Sequence, residues 1–270
     1  MLRSMYAGVS GMKGFQTKLD VIGNNIANVN TIGYKKSTIN FQDLLSQNLS
    51  SSGVNPMQVG LGSTTSAINV VHNPGSLMTT GVGTDLAVVG DGFFVVQNPT
   101  STGTNDRYLT RAGNFVVNAQ GNLVTSQGYN VIGTPGTGTT GTYGPININQ
   151  GTYDSFSINR LGQVVGKTSA GAETIIATIG VSAPANPAGL RKFGGSLYEM
   201  TSSASTGSAM NLGLPSANNT EISSGMLEMS NVDLTEEFTE MIIAQRGFQA
   251  NSRIITTSDE VLQEVVNLKR

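Results

Sequence analysis

Apolar residues near both ends of the chain recur at a strict seven-residue step. The row near the N-terminus is Met5, Met12, Leu19 and Ile26. The row near the C-terminus is Met241, Phe248, Ile255 and Leu262. Because seven residues make two helical turns, each row lies along one side of a helix and winds slowly around it. The rows predict two long helices that pack on each other, on copies of themselves, or on both.

The C-terminal helix is predicted over residues 233–268, which hold no proline and only one glycine, Gly247. Asp233 has the character of an N-cap, with Glu236 as its capping-box partner three residues later. A second seven-residue row on this helix is only partly apolar, and it consists of Phe238, Gln245, Ser252, Asp259 and Val266. Its polar middle favours a helix with several neighbours, and the alternative is an ordinary core helix of a monomer.

The N-terminal helix is predicted over residues 3–28 and contains four glycines: Gly8, Gly11, Gly14 and Gly23. Each glycine costs up to about 1 kcal/mol relative to alanine, so this helix is weak alone. Glycines also allow close approach between helices. Ordering 30 residues costs at least as much free energy as the burial of each apolar row provides. We therefore hypothesise that both termini are mostly disordered in the monomer and fold on assembly.

Between residues 75 and 230 the apolar period changes from seven to two. Short apolar runs at Leu86–Val89, 93–96 and Phe115–Val117 alternate with turns at 90–92 and 118–122. Further strands are predicted, at 123–126, 129–132, 156–158, 163–167 and 174–181. The fold class is therefore α+β, with an irregular or barrel-like central β domain at 75–230. Residues 31–74 are predicted to be an extended connector, and 1–30 with 231–270 form a discontinuous, coiled-coil-like helical domain.

The composition is neutral and rich in glycine. Charged residues make up 12% of the 270 residues, about half the usual share of roughly 25%. The formal net charge of −2 argues against a nucleic-acid surface. Residues 1–36 carry a net charge of +4 and residues 228–270 carry −4. This opposition either steers the pairing of the two helices or reflects solvated faces, and the sequence leaves both interpretations open.

Residues suited to catalysis or metal binding are scarce. The chain has one histidine, His72, and no cysteine, and no Walker or dinucleotide-binding motif is present. We therefore predict no catalytic, cofactor-binding or metal site. The N-terminal residues lack the apolar segment of a signal peptide, and no stretch approaches the 18 apolar residues of a membrane span. Export without a cleaved leader and no membrane insertion are the corresponding expectations.

Six segments, taken in order, resemble the bacterial flagellar rod and hook axial protein family. The N-terminal segments are 19–30 (LDVIGNNIANVN) and 33–36 (GYKK). The central segments are 85–94 (DLAVVGDGFF) and 109–115 (LTRAGNF), and the C-terminal segments are 230–234 (SNVDL) and 241–251 (MIIAQRGFQAN). The resemblance spans the chain. It implies non-enzymatic subunits that are exported by the flagellar type III apparatus and polymerise into a helical tube, with the paired helices inside and the β domain outside.

Within this family the chain looks most like a short hook protein, because residues 22–26 (IGNNI) and the ending 262–270 (LQEVVNLKR) are hook-like. The alternative is a distal rod protein, which the length of 270 residues and the long connector at 46–62 favour. A hook is a flexible universal joint that links rod to filament, whereas a distal rod is a rigid drive shaft. The partners implied for a hook are further copies of the chain, the distal rod, the hook cap and the hook–filament junction protein.

Overall fold

The computed structural model of the chain describes residues 2–50, 57–100, 106–136, 143–149, 151–169, 171–205, 210, 212–218 and 220–268. The chain divides into two compact units. The first, called the helical unit below, comprises Met1–Val29, Lys36–Val71 and Val232–Arg270. The second, called the β unit, comprises Asn30–Lys35 and His72–Asn231.

The helical unit contains two long helices, α1 (Leu2–Ala27) and α2 (Leu234–Leu268). They lie where the seven-residue rows predict them. The Asp233 Oδ1 accepts a hydrogen bond of 2.8 Å from the Thr235 N–H, so Asp233 is the N-cap of α2. The Glu236 carboxylate lies 2.7 Å from Lys36 Nζ, which gives this residue an ion-pair partner outside the predicted capping box.

A β ribbon forms the rest of the helical unit. Its strands are β1 (Ser37–Asp43), β2 (Gln47–Ser50), β3 (Met57–Val59) and β4 (Ser63–Val70). The β1 strand pairs antiparallel with β4, with a bulge after Asn40, and β2 pairs with β3. The sequence predicts an extended connector over this stretch, and the strand pairing is not apparent from it because these strands show no regular alternation of apolar and polar residues.

The ribbon packs closely on α1. A Cβ added at Gly62 would lie 2.2 Å from Ser10 Oγ, and one added at Gly14 would lie 3.0 Å from a ring carbon of Phe41. The Phe41 ring also lies 6.4 Å, between centroids, from the ring of Phe15 on α1. Glycine on either element therefore lets the ribbon backbone approach the helix.

The β unit contains seventeen of the described strands. They are β5 (Leu77–Thr79), β6 (Leu86–Val89), β7 (Phe93–Gln97), β8 (Arg107–Thr110), β9 (Phe115–Val117), β10 (Leu123–Thr125), β11 (Asn130–Pro135), β12 (Gly144–Pro145), β13 (Ser155–Ile158), β14 (Gln163–Lys167), β15 (Glu173–Ile179), β16 (Val181–Ser182), β17 (Arg191–Gly194), β18 (Leu197–Glu199), β19 (Leu212–Gly213), β20 (Glu221–Ser224) and β21 (Met226–Glu228). Short 3-10 helices lie at Pro187–Gly189 and Pro215–Asn218.

Thirteen of these strands form one antiparallel sheet. Its main path runs β13-β14-β15-β11-β7-β8-β18-β17, and β9, β10, β12, β16 and β19 branch from it. Two further pairs, β20 with β6 and β21 with β5, complete the pairing of the described strands. The α+β fold with a mainly β centre is confirmed. The predicted strands at 123–126, 156–158 and 163–167 correspond to β10, β13 and β14 within two residues.

The core of the β unit lies around the central strand β7, where all five residues are buried. Strand β8 pairs along one edge, while β11 and β16 pair along the other. A strand that is covered on both faces reads as a continuous apolar run, as Phe93 to Val96 do. The rings of Phe94 and Phe115 meet edge to face at 5.1 Å between centroids, and both are almost fully buried.

Candidate assembly surface and buried charge cluster

The helices α1 and α2 pack on each other within the helical unit. Contacts that advance along α1 move backward along α2, so the two helices are antiparallel. The contacting pairs are Gly8 with Ile255, Gly11 with Asn251, Phe15 with Gly247, Lys18 with Glu240, and Asn25 with Glu237.

Glycines allow this close approach, as the sequence analysis predicts. A Cβ added at Gly247 would lie 2.5 Å from Cζ of Phe15, so the ring occupies the space that a side chain would need. A Cβ added at Gly11 would lie 2.8 Å from Asn251 Nδ2. By contrast, none of the described residues lies within 4 Å of the Cβ position at Gly23.

Polar side chains fix the alignment of the two helices where α1 ends and α2 begins. Lys18 Nζ lies 2.5 Å from the Glu240 carboxylate, and both side chains are partly exposed. The buried Asn25 amide donates to Glu237 Oε2 at 3.1 Å and to the Ser37 carbonyl at 2.9 Å. Its Oδ1 accepts the Ser37 N–H at 3.0 Å. Asn25 therefore joins α1, α2 and the start of the ribbon, so a shift of helix register would leave its polar atoms unpaired.

The residues of the predicted rows fall into two groups in the single chain. Seven of them are half-buried: Met5, Met12, Leu19, Ile26, Met241, Ile255 and Leu262. The other two are exposed, Phe238 to 50% and Phe248 to 38%. A role for all nine in helix packing between copies stays a prediction.

A further seven-residue row of α2, named here the inner row, consists of Glu237, Ala244, Asn251 and Ser258. Glu237 and Asn251 contact α1, and Glu237 and Ala244 are buried. The predicted second row, which begins at Phe238, lies on a more exposed side. Sequence reasoning missed the inner row because its residues are small or polar, and such residues do not register in a search for apolar periodicity.

A further apolar surface of α2 is largely exposed among the described residues, and Ile254 alone of its members is known to border α1, at Gly8. Its members, named here the lateral stripe, are Ile243, Ile254, Val261, Val265 and Leu268. Their exposed fractions run from 43% to 86%. At 100° per residue they fall within an arc of about 60°, beside the α1-facing side. An apolar row of this length on a helix is typical of a contact with another chain.

The β unit contains a buried cluster of charges that the sequence analysis did not identify. Lys35 Nζ lies 2.5 Å from Glu228 Oε1, and Arg111 donates to Glu228 Oε2 at 3.2 Å. The side chains of Lys35, Glu228 and Arg111 are 0%, 1% and 2% exposed, respectively. Burial lowers the pKa of Lys35 below its ordinary value, while the hydrogen bond that Lys35 donates to Glu228 opposes this shift.

Additional partners satisfy most of the polar atoms of this cluster. The Arg111 guanidinium donates to the carbonyls of Val88 at 3.4 Å and Gly90 at 2.7 Å, and it stacks over the Phe93 ring at 4.9 Å. A signal for this cluster does exist in the sequence. Arg111 is the last charge before a gap that runs to Asp154, and Glu228 stands within the apolar run 226–229. An isolated charge in an apolar setting is a candidate for burial with a partner.

His72 lies beside this cluster between two aromatic rings. Its ring contacts Phe93 at 5.6 Å and Tyr198 at 5.5 Å between centroids. Burial, together with the positive charges of Lys35, Arg111 and Lys192, lowers the pKa of His72 to about 4. The imidazole is therefore neutral at physiological pH, and it acts as an aromatic packing element in this setting.

The described residues offer neither a metal cluster nor a membrane-spanning helix. Within the described ranges, no three His, Asp or Glu side chains gather in a way that suits a metal ion. Neither α1 nor α2, over the residues described, combines the length and apolar character needed to cross a bilayer. The features that stand out are instead the antiparallel helix pair, the lateral stripe and the buried charges.

Three models of protein families match the chain in order. The flagella basal body rod protein model matches residues 5–35. The flagellar hook protein FlgE/F/G D1 domain model matches 87–166, and the flagellar basal body rod FlgEFG protein C-terminal model matches 223–268. These regions cover α1, the first strands of the β core, and α2.

Curated relatives include both rod and hook proteins. The flagellar basal-body rod protein FlgG of Bacillus subtilis is 49% identical over 290 aligned positions, covering all of both chains. FlgG of Borreliella burgdorferi is 35% identical over 283 positions, and the flagellar hook protein FlgE of the same organism is 28% identical over 444, again covering all of both chains. The chain therefore belongs to the flagellar rod and hook protein family, whose members are structural components of the bacterial flagellum.

Proposed function

We propose that this chain is the subunit of the flagellar distal rod, the rigid shaft that carries torque towards the hook. The observation that carries the proposal is the end-to-end match to FlgG of Bacillus subtilis at 49% identity. The FlgE relative of Borreliella burgdorferi aligns only across 444 positions, so the hook protein contains long segments with no counterpart here. These findings favour the distal rod over the hook, which the sequence analysis ranked first.

The ribbon supports a stiff shaft. It places paired strands between α1 and α2 in the sequence and packs on α1 through Gly62 and Gly14. A paired ribbon resists bending more than the single extended chain expected at 31–74, because its two strands share hydrogen bonds. A long connector is also the rod-like trait noted in the sequence.

We infer that copies of the chain polymerise into a tube through their helices. The lateral stripe, Phe238 and Phe248 are apolar, exposed and on a helix that already has α1 on one side. A second copy of the chain is the occupant that membership of the family implies, and burial of these side chains supplies the driving force. In this arrangement the channel is lined by the helical residues 1–30 and 231–270. The outer surface is formed by the β residues 75–230, and residues 31–74 connect the two.

The same proposal identifies the neighbours of the chain. A distal rod meets other rod proteins at one end and the hook at the other, and its subunits reach their site through the flagellar type III export apparatus. The hook cap and the hook–filament junction protein are partners only under the hook interpretation. Association with other basal-body components is common to both interpretations.

Electron microscopy of purified basal bodies after deletion of the gene distinguishes the two functions. Loss of a distal rod leaves basal bodies with a short rod and no external structure, whereas loss of a hook protein leaves a complete rod. An epitope-tagged copy that restores motility is then located by gold labelling. Label within the cell envelope on a straight shaft supports the distal rod, and label on a curved tube outside the cell overturns it.

A further inference from the structure

Four covalent connections join the two units: 29 to 30, 35 to 36, 71 to 72, and 231 to 232. Any force that passes along the chain from one unit to the other crosses these peptide bonds. On the β-unit side, residues within four positions of every connection take part in one hydrogen-bonded network. We name it the junction network and define it by Lys35, Asn73, Arg111 and Glu228.

Lys35 joins two of the connections directly. Its Nζ donates to the Asn73 carbonyl at 2.7 Å and to Glu228 Oε1 at 2.5 Å. Lys35 is the last β-unit residue before the connection from 35 to 36. Asn73 is the second β-unit residue after the connection from 71 to 72. Asn231, at the last connection, donates from Nδ2 to the same Asn73 carbonyl at 3.3 Å.

Glu228 accepts hydrogen bonds from two further segments, those that contain Gly75 and Gly33. Its Oε1 also accepts the Gly75 N–H at 3.0 Å, and its backbone carbonyl accepts the Gly33 N–H at 2.8 Å. Gly33 is four residues after the first connection. Its φ of +67° and the 2.6 Å from its Cβ position to the Ala112 N allow only glycine there. Arg111 then links Glu228 to the carbonyls of Val88 in β6 and Gly90 in the β6–β7 turn.

The physical properties of buried charged hydrogen bonds suit an anchor. Such bonds are short, directional and about twice as strong as neutral ones, and burial keeps competing water away. Replacing buried charges with apolar residues often stabilises a protein, so stability alone does not explain why three are kept here. Fixing several chain segments in one geometry is the role that an apolar contact performs less well, because apolar packing has no direction.

We propose that the junction network is a mechanical anchor that fixes all four chain connections to the β core at one point. This inference rests on the proposed function, because torque transmission is what gives such an anchor its use. A load on α1, α2 or the ribbon reaches the same three charged side chains, those of Lys35, Arg111 and Glu228. Release of one connection therefore loosens the others.

Hydrogen exchange of the purified full-length chain tests the anchor. Lys35→Met keeps the aliphatic length and leaves Glu228 paired with Arg111 and the Gly75 N–H. We expect about tenfold faster exchange at Gly33, Gly75 and Met229 together, with protection unchanged at residues 94–96 of the core. The matched control is Arg160→Met, which removes an ion pair of equal length, 2.5 Å, that is exposed and lies away from the connections. This control should not change exchange at the three amides.

Three outcomes overturn the anchor. They are faster exchange confined to 33–36, no change at any of the three amides, and loss of protection throughout the β core. The first two mean that the connections are independent, and the third means that the cluster is ordinary core. None depends on whether the polymer is a rod or a hook, so failure of the anchor and failure of the distal-rod proposal are separate results.

Swimming under load gives a second measurement in cells that carry Lys35→Met. We expect swimming in dilute medium to stay close to normal and swimming in viscous medium to fall below that of Arg160→Met cells. Equal viscosity profiles for the two variants contradict the anchor. If Lys35→Met cells assemble no flagella, the exchange measurement on the free chain decides the question.

Discussion

The two units of this protein bury their apolar residues to different extents. In the β unit Leu86, Phe94 and Ile179 are fully buried, and a continuous core surrounds them. In the helical unit Ile22 and Ala244 are buried, while Ile242, Ile243 and Val265 are each more than half exposed. The β unit therefore has the core of an independently folding domain, whereas the helical unit has part of a core and leaves the rest for other copies.

This difference follows from the shapes of the elements. A branched sheet of short strands encloses its own apolar side chains, and turns of small residues allow the chain to reverse often. Two helices and a ribbon touch along narrow lines, so each keeps apolar sides that the other described residues leave largely exposed. Changes in the β unit should therefore alter folding, and changes in the helical unit should mainly alter assembly.

The largest expected effect is the loss of Glu228, whose carboxylate compensates two buried cations. We expect Glu228→Gln to lower the free energy of unfolding of the β unit by about 3–5 kcal/mol, because Lys35 and Arg111 are left without a countercharge. Urea unfolding of the full chain measures it. The control is Glu221→Gln in the exposed pair with Arg160, which should cost at most about 1 kcal/mol. Equal losses in the two variants would refute the distinction.

A second effect is pH dependence from His72, whose pKa is lowered to about 4 by burial and nearby cations. The unfolded chain binds a proton near pH 6.5 and the folded chain only near pH 4, so stability falls as the pH falls through this interval. Allowing for its partial exposure, the loss approaches about 2–3 kcal/mol at pH 4.

His72→Gln removes this contribution. The difference in unfolding free energy between the native chain and the variant should be constant above about pH 6.5 and shift steadily below it. Urea unfolding at several pH values measures that difference, in which the carboxylates common to both chains cancel. A flat difference across the whole range would mean that His72 titrates normally in the folded chain.

A smaller effect contrasts two glycines of the helical unit. Gly247→Ala places a methyl group 2.5 Å from the Phe15 ring, and the shift this forces should destabilise the helix pair by about 1–2 kcal/mol. Gly23→Ala meets nothing within 4 Å and should stabilise α1 by about 0.5–1 kcal/mol. Heat dissociation of purified polymers should shift in opposite directions for the two variants. Shifts in the same direction would mean that the closeness of α1 and α2 is unimportant.

The sequence predicted the helices well and the remainder of the helical unit poorly. Seven-residue periodicity is visible because each member of a row is a large apolar residue, from Met5 to Leu262. The inner row of α2 was missed since Glu237 and Asn251 contact α1 through polar side chains. The ribbon was missed because β1 and β4 are paired but carry no clean alternation.

In the β unit the sequence predicted the buried runs at Leu86–Val89 and 93–96 because apolar residues cluster there. It did not predict the junction network. Lysine and arginine are almost always exposed, and their burial depends on Glu228, which is 193 residues from Lys35 in the sequence. Long-range pairing of this kind is decided by topology, which a single sequence does not reveal.

The smallest expected effect on the free chain belongs to the lateral stripe, and it separates the two units most clearly. Ile243→Ser replaces a side chain that is 53% exposed, and isoleucine and serine have similar helix propensities. Melting of the β unit in the free chain should therefore be unchanged. If a second copy covers the stripe, the variant loses about 1 kcal/mol per subunit contact, which raises the concentration needed for polymerisation about fivefold. The control is Gln249→Ser, an exposed polar position on the same helix. Light scattering of the purified chains measures the threshold, and equal thresholds for both variants would show that the stripe faces solvent in the polymer.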